Sequence, residues 1–198
     1  MIVLQNAEKK FKNFSLNVSM KIEKGEIFGI LGANGSGKTP LLKIIAGWYK
    51  SKGVSLQSKS LNYSPQRIIL YEDLSVEENI TFFSSLYSIK PNLTILNTFS
   101  LYEKRKQKVK NLSYGMKRKI NVLISLLDFP QILLLDEPTE NLDLESREKI
   151  WNFLKNMRKE YSTTIVVATH SREEAAHCDR ICVLDKGRLM EVKNASTD

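Results

Sequence analysis

Gly32-Ala33-Asn34-Gly35-Ser36-Gly37-Lys38-Thr39 decides how this chain is read. The stretch fits Gly-x-x-x-x-Gly-Lys-[Ser/Thr], the P-loop pattern. Its glycines let successive backbone N–H groups turn toward one anion. A helix N-terminus behind the loop adds partial positive charge. Lys38 has the length to reach the β- and γ-phosphates of a nucleotide, and the Thr39 hydroxyl suits Mg²⁺. The flanks agree. Ile27-Phe28-Gly29-Ile30-Leu31 reads as a buried strand leading in. Leu41 to Ala46 reads as a helix leading out, with Gly47 placed to end it.

A second stretch narrows the chemistry. Ile132-Leu133-Leu134-Leu135 is a short apolar run ending in Asp136-Glu137-Pro138. It reads as a buried strand that delivers two carboxylates at its C-terminal edge, where open α/β sheets bind ligands. Asp136 suits the Mg²⁺ shell, and Glu137 is left to orient or deprotonate a water attacking the γ-phosphate. A third stretch, Asn111-Leu112-Ser113-Tyr114-Gly115-Met116, places Ser113 as the cap of a helix with apolar positions Ile120, Leu123, Ile124 and Leu127.

Leu112-Ser113-Tyr114-Gly115, shortly before that acidic strand end, resembles the signature of ABC ATPases, the ATP-binding subunits of ABC transporters. Other positions then align. Gln66, in Tyr63-Ser64-Pro65-Gln66, resembles the family's Q-loop glutamine, and Asn141-Leu142-Asp143 resembles its D-loop. His170, in Val167-Ala168-Thr169-His170-Ser171, resembles the switch histidine. Phe11 lies where the family places an aromatic on adenine, with Phe14 a second candidate.

The resemblance covers essentially the whole chain in the family's order. It implies an α/β P-loop NTPase fold of ABC ATPase type. The sheet would be mostly parallel, with an N-terminal antiparallel β region and an inserted helical subdomain. Residues 1–198 would be one domain, with 1–66 and 116–198 as its core and 67–115 as the helical subdomain ending in the signature. Gly53 to Ser60 is short and polar, so the β region looks trimmed.

The resemblance also implies roles. The substrate is ATP with Mg²⁺. Glu137, His170, Gln66 and Lys38 would be catalytic. Phe11, Gly32, Ala33, Asn34, Gly35, Ser36, Gly37, Lys38, Thr39, Ser113, Gly115 and Asp143 would contact the nucleotide. Thr39, Gln66 and Asp136 would hold the metal. Ser113 and Gly115 would act on the ATP of a facing subunit, so that two ATP molecules are sandwiched in a homo- or heterodimer. The helical subdomain would meet a transmembrane permease subunit. Gly115-Met116-Lys117, where Gly-Gln is commoner, resembles exporter-type subunits. A soluble ABC ATPase without a permease, or a nucleotide-binding regulator with little turnover, are the alternatives. The second is suggested by Pro40, where the family has Thr or Ser whose backbone N–H reaches the α-phosphate. Proline has no such N–H.

Composition sets outer bounds. A chain of 198 residues with 42% hydrophobic content suits one globular domain. No run approaches the roughly 18–20 apolar residues that span a bilayer, and Met1 to Asn6 lacks signal-peptide character. The expectation is a cytoplasmic protein, peripheral on the inner face of the membrane through its partner. The formal charge is +8, and eight basic residues against Glu103 concentrate +7 between Leu101 and Lys119. No base-stacking platform accompanies that segment, so it reads as a solvated face and no specific nucleic acid is expected. Cys178 and Cys182 read as core thiols.

The remaining pattern supplies elements. Phe14, Leu16, Val18, Met20 and Ile22 alternate with polar residues as a half-buried strand does. Ser75-Val76-Glu77-Glu78 is a capping box. Lys90 to Ser100 has no clear period and is expected as loop. Leu144 to Tyr161 is an amphipathic helix with Ile150, Leu154, Met157 and Tyr161 on one stripe, and Ser171 caps a further helix.

Overall fold

The structure is a computed structural model that describes residues 1–12 and 14–195. The strand that leads into the P-loop lies inside the sheet. The apolar run β3 (Ile27–Leu31) lies between β7 (Thr164–Thr169) and β8 (Arg180–Asp185), parallel to both. Beyond β7 lie β6 (Ile132–Asp136) and then β5 (Leu61–Ser64), again parallel. The other end of the sheet turns antiparallel. There β9 (Arg188–Asn194) pairs β8, and β1 (Ile2–Phe11) pairs both β2 (Phe14–Ile22) and the short β4 (Val54–Leu56). The full order is β4-β1-β2-β9-β8-β3-β7-β6-β5. The trimmed β region is therefore a three-residue β4 at the sheet's edge.

Alternating residues of the parallel strands feed two cores. Ile132 and Leu134 of β6 face one core, while Leu133 and Leu135 face the other. A strand buried on both faces needs a continuous apolar run, which is why these strands read as unbroken. The first core is closed by α1 (Lys38–Ile45) and by the inward residues of β1 and β2, among them Leu4, Leu16, Val18 and Ile22. The second is closed by α2 (Val76–Leu86), α3 (Tyr114–Ile124), α4 (Leu144–Tyr161) and α5 (Arg172–Ala175).

Four helix starts obey the capping chemistry of their sequence. Ser75, Ser113, Asp143 and Ser171 each accept a backbone N–H from three residues on, and Ser75 with Glu78 completes the capping box. Three expectations need correction. Lys90 to Ser100 is not loop: Leu93–Phe99 is a 3₁₀ helix with Leu96 and Phe99 buried. A 3₁₀ helix repeats every three residues, so Leu93, Leu96 and Phe99 share one side, a period that a 3.6-residue search passes over. The helix from Ser113 ends at Ile124, and Leu127 is buried in the turns beyond it. The α4 stripe buries Ile150, Leu154 and Met157 together with Trp151, whereas Tyr161 stays half exposed against Phe129. Trp151→Ala removes the largest fully buried side chain. A loss of about 3–5 kcal/mol in urea unfolding is expected. A loss under about 1 kcal/mol would mean that the second core closes around the gap.

Candidate functional site

Parallel strands deliver their C-terminal ends to one edge, and that edge holds the chemistry. In register, Leu31 of β3 meets Thr169 of β7, Ala168 meets Asp136 of β6, and Leu135 meets Ser64 of β5. The P-loop, His170, the Asp136-Glu137 pair and Gln66 therefore follow in a row. β6 is not the neighbour of the P-loop strand, because β7 lies between them. Asn34, Gly35, Gly37, Lys38, Thr39, Pro40, Gln66, Asp136, Glu137 and Phe14 line one cleft of about 530 Å³.

The loop is shaped for close approach. Gly35 and Gly37 have φ of 80° and 111°, which side chains rarely tolerate. A Cβ on Gly32 would lie 2.4 Å from Ser36 Oγ and 2.5 Å from the Leu184 carbonyl oxygen. Ser36 is thus folded beneath the loop, and its carbonyl accepts the Gly187 N–H at 2.8 Å. Helix α1 starts at Gly37 with no side-chain cap. Among the five α-helices of the described residues, α1 is thus the one whose first-turn donors are left to a ligand, and it points at the cleft.

Lys38 is buried and donates to the carbonyls of Gly32 at 2.8 Å and Ala33 at 3.3 Å. Its Nζ also lies 3.2 Å from Glu137 Oε1, an ion pair without hydrogen-bond alignment. Glu137 Oε2 is 3.0 Å from His170 Nδ1. The Glu137 carboxylate is therefore suspended between a cation and an imidazole. Its backbone, at φ 49°, is held in the left-handed region. Thr39 Oγ1 donates to Asp136 Oδ2 at 2.7 Å, and the Tyr63 hydroxyl donates to the same oxygen at 3.0 Å. Asp136 Oδ1 is buried with no partner. Burial raises the Asp136 pKa, against the Thr39 and Tyr63 hydrogen bonds that lower it. An unpartnered buried carboxylate oxygen beside a hydroxyl is a donor set that fits a hard divalent cation. Gln66 is exposed on the cleft wall, where its Nε2 donates to Glu140 Oε2 at 2.8 Å, a bond that leaves its amide oxygen unclaimed.

A family model described as "ABC transporter" matches residues 16–140. The chain belongs to that family, as its nucleotide-binding domain. Among curated relatives, the linearmycin resistance ATP-binding protein LnrL of Bacillus subtilis (strain 168) is 30% identical over 214 residues, covering 97% of the cassette and 68% of LnrL. The organic anion transporter ABCA8B of Mus musculus is 35% identical over 199 residues, which is 92% of the cassette but 12% of that protein. The cassette thus spans from about an eighth to about two thirds of these relatives' lengths. Matched relatives include import as well as resistance proteins. Among solved structures, the dimeric cassette MJ0796 in a post-hydrolysis state, bound to ADP and Pi, superposes with TM-score 0.87 at 25% identity over 100% of both chains. The cassette is an ATPase domain of this family.

The remaining expected residues fall into two groups. Phe11, at the end of β1, packs on Phe14 and Tyr49 and lines a second depression with Lys10, Ser15, Gly35 and Lys186, which shares Phe14 and Gly35 with the first cleft. Phe14 is committed to the backbone: its ring would meet a Cβ on Gly37 at 2.6 Å and on Gly187 at 2.7 Å. Ser113, Gly115 and Asp143 do not line the cleft of their own chain. Ser113 and Asp143 are exposed helix caps, and Gly115 faces Leu142.

Several residues of the site carried no signal. Tyr63 was visible only as a neighbour of Gln66. Glu174 of α5 is buried and accepts hydrogen bonds from the hydroxyls of Thr139 and Thr169, which ties the turn after Glu137 to the strand end before His170. Arg118, in the basic segment expected to be a solvated face, is fully buried. Its neighbours in that segment meet acids from outside it: Lys117 pairs Glu72, Lys110 pairs Asp73, and Arg105 lies near Glu77 and over Tyr102. Cys178 and Cys182 are buried free thiols whose pKa burial pushes up to about 12.

Proline 40 sits in the third position of α1. The carbonyl that an N–H there would reach within the helix, that of Ser36, is occupied by Gly187, and the first intrahelical bond runs from Leu41 to Gly37. The helix therefore loses nothing by the substitution. Only a ligand would miss the donor.

Proposed function

We propose that this cassette binds Mg-ATP in the cleft and hydrolyses it as the energy-coupling subunit of an exporter-type ABC transporter, acting as a dimer on the cytoplasmic face of the membrane. The observation that carries the reading is Glu137 held between Lys38 and His170, with one strand, β7, between its own strand and that of the P-loop. The backbone amides of residues 32–39 would cradle the phosphates, and adenine would lie beyond them against Phe11. Lys38 would exchange its loop carbonyls for β- and γ-phosphate oxygens. Thr39, Asp136 and the Gln66 amide oxygen would hold Mg²⁺. When bound, that ion would neutralise charge building on the phosphate oxygens. Glu137 would orient and deprotonate the attacking water, and His170 would hold Glu137 and the γ-phosphate in line.

Ser113, Gly115 and Asp143 are read as parts of the facing subunit's site, because they lie at helix starts outside their own cleft, with Ser113 and Asp143 exposed. The start of α3 would then supply the positive end that clamps the γ-phosphate. Exposed Ile69, Tyr71, Phe82 and Leu86, on and before α2, support the permease contact. Among the described residues no helix is long and apolar enough to cross a membrane. Phosphate release from Mg-ATP by the purified chain, and co-purification with a membrane protein, test the two halves of this reading. No hydrolysis would defeat the first, and a chain that never co-purifies with a membrane protein would defeat the second.

Pro40→Thr restores one backbone donor to the cleft. A hydrogen bond to a charged group is worth about 1.5–3 kcal/mol, so Mg-ATP should bind about tenfold tighter. Titration of both proteins with a fluorescent ATP analogue checks this. Equal affinity would mean that the loop already makes up for the missing amide.

A further inference from the structure

Arg118 has no place in the chemistry described so far. It lies in α3 with no exposed surface, and its hydrogen-bond acceptors are five backbone carbonyls. Its Nη1 donates to Pro65 and Gln66 at 2.8 and 3.0 Å. Its Nη2 donates to Asp136 and Glu137, both at 2.6 Å, and Nε donates to Pro138 at 3.1 Å. A guanidinium has five N–H protons, and five acceptors meet them. One rigid planar group thus joins the backbone of Gln66 to the backbone of Glu137. Three residues along the same helix face, buried Asn121 grips the same loop: its Nδ2 donates to Ser64 Oγ at 3.1 Å and its Oδ1 accepts the Ile69 N–H at 3.0 Å.

The consequence lies at Glu137. Its backbone occupies the left-handed region, uncommon for a residue with a side chain. Its N–H is bonded to Ala168 and its carbonyl to Arg118, so both peptide groups flanking the side chain are pinned. That pins the direction from which the carboxylate reaches Lys38 and His170. The same helix starts at Ser113.

We propose that Arg118 is the positioning residue of the hydrolytic site, locking the backbones of Gln66 and Glu137 to the helix that begins at Ser113. The proposal rests on the reading of Glu137 as the group that activates water. Movement of that helix then carries both residues together, and the carboxylate is aligned only when α3 is seated.

The test compares Arg118→Lys and Arg118→Met in the full chain. Lysine keeps the charge and at most three donors, and it cannot bridge two loops as a planar fork can. Affinity for a fluorescent ATP analogue and KM are expected to stay within about threefold, because the cleft's phosphate donors are untouched. The kcat of folded protein should fall about tenfold for lysine and about a hundredfold for methionine, the order expected when a reacting group is displaced by ~1 Å. Urea unfolding supplies the folded fraction. In a Glu137→Gln background the lysine substitution should slow hydrolysis no further, since the two act as one unit.

An unchanged kcat in folded Arg118→Lys, a deficit explained by unfolded protein, or multiplicative losses in the double variant would each overturn the proposal. Failure of both variants to fold would make Arg118 a stability residue and overturn it equally. Near-normal hydrolysis by Glu137→Gln alone would instead defeat the reading of Glu137, which separates the two failures.

Discussion

Glu137→Gln is expected to bind Mg-ATP normally and to hydrolyse it ~10² or more slower, the scale of a lost general base. The side chain is almost wholly buried, so the substitution acts on the cleft and not on a solvated surface. Glutamine has the same shape, and its amide can still meet His170 where Oε2 stands 3.0 Å away. What disappears is the carboxylate that takes the proton. The change also removes the charge that pairs Lys38 at 3.2 Å. Lys38 is then freer to turn to phosphate, so affinity should hold or improve. If the family's sandwich applies, ATP should accumulate a stable dimer in this variant, read by analytical ultracentrifugation. Phosphate release near the parent rate would remove Glu137 from its catalytic role.

Ser113→Asp should abolish ATP-driven dimerisation while leaving the monomer sound. Ser113 caps α3 by accepting the Met116 N–H at 3.3 Å. Aspartate caps helices as well as serine does, so folding stability should change little. In the dimer, however, a carboxylate would face a partner's triphosphate. Two unit charges about 4 Å apart near a protein surface repel by about 4 kcal/mol, roughly a thousandfold in an equilibrium constant. Nucleotide affinity of the isolated chain should remain within about threefold. Sedimentation with ATP in the Glu137→Gln background measures the dimer directly. Dimerisation at the parent level would defeat the facing-subunit role of Ser113. A large loss of monomer affinity would place Ser113 in its own chain's cleft.

Much of the molecule was legible along the chain because its cues are local. The strand before the P-loop, the strand before Asp136 and the helix from Leu144 to Tyr161 have the bounds that their apolar patterns suggest. Four caps sit on the residues whose side chains can reach a backbone N–H three positions on. The misses share a cause as well. Leu93–Phe99 follows a three-residue period, Leu127 lies beyond the last turn of its helix, and Tyr161 ends its helix on a side that tertiary packing leaves half exposed.

Short-range chemistry alone determined that a phosphate loop exists, that Asp136 and Glu137 close a buried strand, and that Ser113 begins a helix. Each depends on a handful of consecutive residues. Tertiary structure decided the rest. The insertion of β7 between β3 and β6 carries His170 to Glu137, from a position 33 residues away in the chain. The pairing of β5 with β6 brings Tyr63 to Asp136 across 73 residues. Packing of α3 against both loops turns Arg118, one cation in a basic run, into a buried bridge between Gln66 and Glu137. Strand order and helix burial are outcomes of the whole hydrophobic core, in which every strand competes for neighbours. A residue whose partners lie across that core has no neighbour in the sequence to announce its role.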